Sequence, residues 1–161
     1  LNLFEMIRKT DPDAALRTTV ITGFPGETNE DFARLMDFIK EVQFDHLGVF
    51  TYSDAADLAA HTLPDPVAPE IAAQRRNILM EEQRSLSDIA LARYRHRELT
   101  VLVEEAPEPG VFLGRTAFQA PEVDGLTYIH TTAANTQVEI GQFVRVKITD
   151  TLAYDLVGES L

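Results

Sequence analysis

The first part of the chain alternates between helical and strand patterns of apolar residues. Residues 1–10 predict a helix, which we expect to end before Pro12 because proline cannot continue it. Residues 16–22 form a nearly unbroken β-branched run, the pattern of a strand buried on both faces. Residues 46–52, with the sequence HLGVFTY, predict a second strand of the same sheet.

A capped amphipathic helix separates these two predicted strands. Thr28 is placed to cap the first turn, and Asp31 follows three residues later, as in a capping box. The apolar positions then recur at helical spacing and are Phe32, Leu35, Met36 and Ile39. The order helix, strand, helix, strand predicts a right-handed parallel crossover, and therefore an α/β architecture.

The pattern changes again after residue 53. Residues 53–69 contain three prolines and predict a loop. A long helix is predicted for residues 70–97, with an apolar stripe formed by Ile71, Ile78, Leu79, Leu86, Ile89 and Tyr94. Beyond it the apolar period is two, which predicts a small antiparallel barrel of about five strands, similar to an OB fold. We therefore expect an α/β part at residues 1–66, a connecting helix at 67–97 and an all-β domain at 98–161.

The chain is strongly acidic, with 26 acidic and 14 basic residues and a net charge of −12. Residues 98–161 alone contain ten acidic and three basic residues, a difference of −7. This balance disfavours a nucleic-acid surface, because neutralisation of phosphates supplies the affinity there. It leaves two interpretations open, namely a basic partner and a charge that only aids solubility.

Two absences restrict the chemistry. No apolar run approaches the ~18 residues of a membrane span, so we expect no membrane association. The sequence has no cysteine, so a thiolate-ligated cluster would need ligands from outside this chain. Because the chain starts within a helical pattern, we expect it to be a piece of a longer protein.

The main candidate for a ligand site is the pair of turns after the two strands, residues 23–27 and 50–54. Ligands of parallel sheets bind beyond the carboxyl ends of the strands. Gly23 and Gly26 would let the backbone approach such a ligand closely. Taken alone, this glycine-rich turn fits ordinary turn chemistry as well as a ligand site.

Histidines and aromatic residues offer weaker candidates. The histidines have no metal-ligand spacing, and they are His46, His61, His96 and His130. The aromatic residues of the last third fill the barrel core or form a stacking face for single strands, and they are Phe112, Phe118, Tyr128 and Phe143. No Ser-His-Asp or paired acid-base arrangement is apparent, so we predict no catalytic and no metal-binding residue in this chain.

Several motifs together resemble one enzyme family. The segment TTVITGFPGET, followed by FDHLGVFTYS, resembles the C-terminal part of the radical S-adenosylmethionine barrel of methylthiotransferases. The remainder resembles their TRAM domain. LPDPV, GRTAFQAPEVDGLTYI and YDLVG resemble the branch that modifies a ribosomal protein, known as RimO. The resemblance implies a partial TIM barrel followed by an OB-like TRAM barrel.

The resemblance also implies a reaction. Members of this branch replace a C–H bond by C–S at the β-carbon of an aspartate in small-subunit ribosomal protein S-twelve. They use S-adenosylmethionine and two 4Fe-4S clusters, whose cysteine ligands lie outside this chain. It follows that this chain is inactive alone, that the enzyme is cytoplasmic and monomeric, and that its partner is a basic ribosomal protein or the small ribosomal subunit.

The resemblance assigns cofactor-binding residues at the ends of two strands. After the fifth barrel strand they are Ile21, Gly23, Pro25, Gly26 and Glu27, and after the sixth they are Phe50, Thr51, Tyr52 and Ser53. Ile21 and Phe50 could equally be core residues. The chain departs from many relatives after Ser53, where Asp54-Ala55-Ala56-Asp57-Leu58 replaces a Glu-x-Gly-Thr stretch.

Charge suggests how the TRAM domain is used. TRAM domains of the tRNA-modifying branch bind RNA, whereas an acidic one should repel RNA and attract a protein rich in Lys and Arg. The candidate docking residues are Glu122, Asp124, Asp150 and Asp155. Two alternatives remain open: part of a tRNA methylthiotransferase, which would have a basic barrel, and a stand-alone OB-like binding module.

Overall fold

The structure is a computed structural model, which describes residues 1–131 and 138–161. The chain divides into two compact units, Leu1–Leu86 and Ser87–Leu161. The helix α3 (Pro69–Ala92) contributes residues to both units.

The first unit is an α/β arrangement. Its other elements are α1 (Asn2–Thr10), β1 (Arg17–Thr22), α2 (Asn29–Val42), β2 (His46–Thr51) and a short 3-10 helix (Ala59–Thr62). The two strands pair in parallel, with Arg17 opposite His46 and Thr22 opposite Thr51. The predicted parallel crossover is therefore confirmed. The predicted capping box of α2 is also present, because the Thr28 and Asp31 side chains each bind the other residue's backbone N–H.

The β1–β2 sheet is covered on one face only. Val20, Leu47 and Val49 pack on the helix side against a cluster that includes Ile39 and Leu79. On the opposite face Ile21 and Phe50, which lie opposite each other in the register, are 53% and 62% exposed. The exposed apolar side chains of these strands thus occupy alternate positions, and β1, which the sequence predicts to be buried on both faces, is not so buried within this unit.

The buried stripe of α3 differs from the predicted one. The residues of this helix that are buried within the first unit are Ala72, Arg75, Leu79, Gln83 and Leu86. Ile71, Ile78 and Ile89 are exposed, contrary to the apolar stripe predicted from the sequence. The reason is that two polar side chains on the buried side are anchored: Gln83 Nε2 donates to the Phe44 carbonyl at 2.9 Å, and Arg75 is held by an ion pair.

The second unit contains a closed barrel with strand order β3-β4-β5-β7-β6. The strands are β3 (Glu98–Glu108), β4 (Val111–Thr116), β5 (Thr127–His130), β6 (Phe143–Thr151) and β7 (Leu156–Ser160). The predicted number of strands is confirmed, but the prediction that all pairs are antiparallel is wrong, because β5 and β7 run parallel. The physical reason is parity: strand directions cannot alternate around a closed ring with an odd number of strands.

The barrel interior is a continuous apolar core. It contains Val101, Val103, Ile129, Val146, Ile148 and Leu156 together with Tyr94 from the turn after α3. The long helix ends at Ala92, before the predicted residue 97, because the chain joins the barrel there: His96 adopts φ 66°, and its N–H donates to the Ile148 carbonyl at 2.8 Å. Among the described residues, no helix has the length and apolarity needed to cross a membrane.

Candidate functional site

The turn after β1 is held by a buried ion pair. Arg75 Nη1 lies 2.7 Å from Glu27 Oε2, and the two side chains are only 7% and 11% exposed. The same carboxylate oxygen accepts from the Gly23 N–H at 2.5 Å. Arg75 also donates to the Glu27 carbonyl and to Asn29 Oδ1, at 3.0 and 2.9 Å. Glu27, predicted as a cofactor-binding residue, therefore uses its carboxylate to fix the turn onto α3.

The two glycines of this turn serve different purposes. A Cβ on Gly23 would lie 2.3 Å from the Ala72 Cβ, so this glycine is required by the close approach of α3. Gly26 has open space around it, and its φ of +85° is the conformation that favours glycine. The Gly26 N–H donates to the Asp65 carbonyl at 2.8 Å, which ties the long loop to the turn.

A cavity of about 420 Å³ lies beyond the carboxyl ends of β1 and β2 in the first unit. Four of the predicted cofactor-binding residues line it: Gly23, Pro25, Thr51 and Tyr52. The rest of the lining comes from the loop after β2 and the start of α3, and includes Asp54, His61, Leu63, Val67 and Ala72. Asp54 belongs to the turn at residues 50–54 that the sequence indicated, whereas the other four were missed, because nothing in a proline-rich loop indicates which of its residues fold back over the strand ends.

A short polar chain forms one side of the cavity. Tyr52 Oη donates to Asp54 Oδ1 at 3.2 Å, and His61 Nδ1 lies 2.9 Å from Asp54 Oδ2. Burial and the Asp54 carboxylate raise the pKa of the Tyr52 phenol above its ordinary value. The neighbouring Phe24 ring packs edge-on against the Tyr52 ring at 5.3 Å. The arrangement can offer hydrogen bonds to a ligand in a cavity whose other lining residues are mostly apolar.

The other predicted cofactor-binding residues lie elsewhere. Ile21 and Phe50 lie on the open face of the sheet and do not line the cavity. Gly26, Glu27 and Ser53 also do not line it. The structure therefore divides the nine predicted residues into four around the cavity, two on the open face and three that belong to neither group.

Two of the predicted docking carboxylates are bound to backbone within the barrel unit. Asp124 Oδ2 accepts from the Ala120 N–H, and Asp155 Oδ1 accepts from the Leu126 N–H, each at 2.7 Å. Asp150 pairs with Arg95 at 3.1 Å. Glu122 is exposed and has a φ of 60°.

The motifs APEVDG and YDLVG meet in the structure. A Cβ on Gly125 would lie 1.9 Å from the Tyr154 carbonyl oxygen. The Leu126 N–H donates to Asp155 Oδ1, and the Leu156 N–H donates to the Leu126 carbonyl. These segments, which carried much of the resemblance, thus lock the ends of β5 and β7 together.

Comparison with known proteins agrees with this architecture. The family model described as the TRAM domain matches residues 97–161. This match lies within the second unit, and we call the matched residues the TRAM domain. Proteins named ribosomal protein uS12 methylthiotransferase RimO match essentially the whole chain. That of Clostridioides difficile is 43% identical over 100% of this chain and 36% of its own length. Those of Desulfosudis oleivorans and Thermus thermophilus are 48% and 44% identical over 98% and 94% of this chain and 35% and 34% of their own lengths.

The predicted resemblance to RimO-type methylthiotransferases is confirmed by these matches. The chain spans about a third of the length of the relatives it matches, 36% in the first of them. Among solved structures, an active-site mutant of the Dss1 exoribonuclease of Candida glabrata aligns with 62% of this chain and 14% of its own chain, at 16% identity and a TM-score of 0.37.

The aromatic residues of the TRAM domain do not form a common exposed face. Phe112 and Phe118 pack against the core, and Phe118 stacks on Tyr94 at 4.4 Å. Phe143 alone of the four predicted candidates is fully solvent-facing, at 73% exposure. In the part of the chain that the structure describes, no three His, Asp or Glu side chains are grouped to hold a metal ion.

Proposed function

We propose that this chain is part of a RimO-type enzyme that methylthiolates the β-carbon of an aspartate in ribosomal protein uS12. The observation that carries the proposal is the 43–48% identity to proteins of that name along essentially the whole chain. The motifs that distinguish the branch, APEVDG and YDLVG, form one interlocked feature of the TRAM barrel.

In this proposal, β1 and β2 are the last two strands of a partial TIM barrel. Its interior surface would be the open face that carries Ile21 and Phe50. Two observations support this assignment: the strands pair in parallel, and helices α2 and α3 both pack on the opposite face.

S-adenosylmethionine is the cofactor that the proposal implies, and the residues present fit part of it. The exposed Ile21 and Phe50 side chains offer apolar contact to an adenosyl group. The hydrogen-bonded side chains of Tyr52 and Asp54 follow directly after them at the end of β2. When bound and cleaved, this cofactor supplies a radical that removes hydrogen from an unactivated carbon. The role of Glu27 and Arg75 is to hold the turn that borders the site in one conformation.

The residues of this chain do not fit the iron-sulfur clusters. Such clusters are held by Cys thiolates, and the sequence has none. Catalysis would therefore require other parts of the enzyme, and this chain alone is expected to be inactive. We further propose that the enzyme is cytoplasmic, because its substrate is a ribosomal protein, and that it is monomeric.

The TRAM domain is proposed to bind the basic protein substrate, not nucleic acid. Ten acidic residues against three basic ones support this, since such a surface attracts Lys and Arg and repels phosphate. A tRNA-modifying enzyme would be expected to have the opposite charge.

The test uses the intact protein that contains this chain. We expect its reading frame to carry a Cys-x-x-x-Cys-x-x-Cys motif before Leu1. We expect that the protein, expressed in a bacterium lacking its own uS12 methylthiotransferase, adds one methylthio group to uS12, measured by mass spectrometry of the isolated ribosomal protein. Modification of tRNA with no change in uS12 would overturn the proposal in favour of the tRNA branch.

A further inference from the structure

The loop between β2 and α3 forms one wall of the cavity in the first unit. Residues 54–66 of this loop are exposed except for the half-buried Ala60, and the short 3-10 helix lies in their middle. Their apolar side chains belong to none of the buried clusters in the part of the chain that the structure describes. The residues that they contribute to the cavity lining are Asp54, Ala60, His61, Leu63 and Pro66. The loop therefore covers the cavity without being part of a core.

The opposite wall of the cavity is fixed more firmly. It includes the turn at residues 23–27, which the buried ion pair between Glu27 and Arg75 holds on α3. The corresponding pair in the loop is exposed: His61 Nδ1 lies 3.0 and 2.9 Å from the two carboxylate oxygens of Asp54, and the two side chains are 46% and 55% exposed. Because an exposed pair contributes little free energy, the loop is the wall that can move.

A series of contacts joins the loop to the turn. Tyr52 Oη donates to Asp54 Oδ1, and the Tyr52 ring packs edge-on against the Phe24 ring of the turn. Tyr52 is itself fixed to β1, because its N–H donates to the Thr22 carbonyl at 2.8 Å. His61 of the loop is thus connected to the turn through the side chains of Asp54 and Tyr52.

A second contact joins the same two segments near the end of the loop. The Gly26 N–H donates to the Asp65 carbonyl at 2.8 Å. Asp65 has a φ of 59°, a left-handed conformation that residues with a Cβ adopt uncommonly and that persists where surrounding contacts hold it. The bond from Gly26 is such a contact. Since the loop is joined to the turn at two points, we expect it to open as one piece.

We propose that residues 54–66 form a lid over the cavity, held closed by the Asp54–His61 pair and coupled to the turn at residues 23–27. Because the lid and the turn share contacts, a ligand held against the turn stabilises the closed lid, and the closed lid slows the release of that ligand. The lid itself goes beyond the proposed function. Only the identity of the ligand, S-adenosylmethionine, rests on that function.

The amide of Gly26 reports the opening of the lid. In the intact protein that contains this chain, its hydrogen exchange requires loss of the bond to Asp65. The Glu27 N–H donates to the Phe24 carbonyl within the turn and serves as the reference. His61→Ala is expected to speed exchange at Gly26 by about two- to fivefold, the effect of removing an exposed pair, and to leave exchange at Glu27 unchanged.

The matched control is Asp57→Ala, which removes an exposed carboxylate of the same loop that does not line the cavity. It is expected to leave both amides unchanged. Unaltered exchange at Gly26 in His61→Ala would overturn the inference, because the pair would then not hold the lid closed. Equal acceleration at Glu27, or the same acceleration at Gly26 in Asp57→Ala, would also overturn it, since the change would not be specific to this pair.

Addition of S-adenosylmethionine to the intact enzyme tests the coupling. Saturating cofactor is expected to slow exchange at Gly26, and labelled cofactor is expected to leave the His61→Ala variant about two- to fivefold faster in a chase. Cofactor that binds without slowing this exchange, or that leaves both proteins at the same rate, would overturn the coupling, and the proposed function would stand. If the cofactor does not bind the unaltered enzyme, the proposed function fails, and the exchange at Gly26 in His61→Ala still decides whether the lid exists.

Discussion

The two units of this chain satisfy their strands in different ways. The first unit has two parallel strands with helices on one face, and its opposite face displays Ile21 and Phe50 to solvent. The second unit closes five strands into a ring, so that each strand has two partners and the apolar side chains meet inside. A ring abolishes strand edges, whereas a two-stranded sheet depends on side-chain anchors around it.

Because of those anchors, the stability of the first unit should depend strongly on side chains at the turn after β1. Glu27 and Arg75 join the end of β1 to α3, and Gln83 joins α3 to the segment before β2. In the barrel, the strands are held together by backbone pairing and by their close approach at glycines. The comparison predicts that replacing a buried polar side chain destabilises the first unit most, and that adding side-chain volume at a strand glycine destabilises the second.

The largest effect is expected for Arg75→Met, which leaves the buried Glu27 carboxylate without its partner. Breaking one member of a buried pair costs about 3–5 kcal/mol. The matched control is Arg34→Met, because Arg34 pairs with Glu30 on an exposed surface, where a pair contributes about 0–1 kcal/mol. Hydrogen exchange of residues 17–27 reads the local free energy of opening. Equal loss of protection in both variants would show that the buried pair is not an anchor.

The next prediction contrasts the two faces of β2. Leu47→Ala removes a buried side chain and is expected to cost about 2–5 kcal/mol in urea unfolding of the first unit. Phe50→Thr, on the open face, is expected to change the free energy of unfolding by no more than about 0.5 kcal/mol, as for other exposed positions. Combined with Ile21→Thr it should also reduce binding of the dye ANS. A large cost for Phe50→Thr would mean that this face is covered within the chain.

Strand glycines provide a direct comparison between the open sheet and the closed barrel. A Cβ on Gly114 would lie 2.3 Å from the Leu102 carbonyl oxygen, and we expect Gly114→Ala to cost about 1–3 kcal/mol through overpacking. A Cβ on Gly48 would lie 3.3 Å from Oγ1 of Thr19, an exposed side chain that has room to shift by a few tenths of an ångström. Gly48→Ala is therefore expected to be nearly neutral or slightly stabilising. Thermal unfolding followed by circular dichroism measures both, and similar costs would contradict the contrast.

The features that were predictable from the sequence are those set by local chemistry. The parallel strands, the capping box at Thr28 and the strand period of the barrel all depend on neighbouring residues. The motif resemblance also identified the TRAM domain correctly. Four of the residues predicted to bind the cofactor do line one cavity.

The features that were missed depend on partners distant in the chain. The buried stripe of α3 contains Arg75 and Gln83, and an apolar pattern cannot indicate that these side chains have partners 48 and 39 positions away. The role of Asp155 is invisible for the same reason, because its backbone partner lies 29 positions away. Glu27 and Asp124 are different, since each accepts a backbone N–H from a residue only four positions earlier, a local turn contact that the apolar pattern does not report. The parallel pair in the barrel is different, since five strands in a closed ring could have predicted it.

The smallest predicted effect concerns acid and the start of α2. Hydrogen bonds from the Thr28 side chain and backbone lower the pKa of Asp31 below the ordinary value of an aspartate. A carboxyl whose pKa is lowered by folding stabilises the folded state above its unfolded pKa, and this contribution is lost as the pH falls through the folded pKa. We therefore expect the first turn of α2 to lose hydrogen-exchange protection only as the pH falls below about 4. The amides of β3 and β6 serve as the internal reference for intrinsic exchange rates. In the Asp31→Asn variant the acid-dependent loss should disappear, because this side chain does not titrate. If the variant retains the same loss, the opening of the helix has another cause, and the capping box does not control the pH response of the first unit.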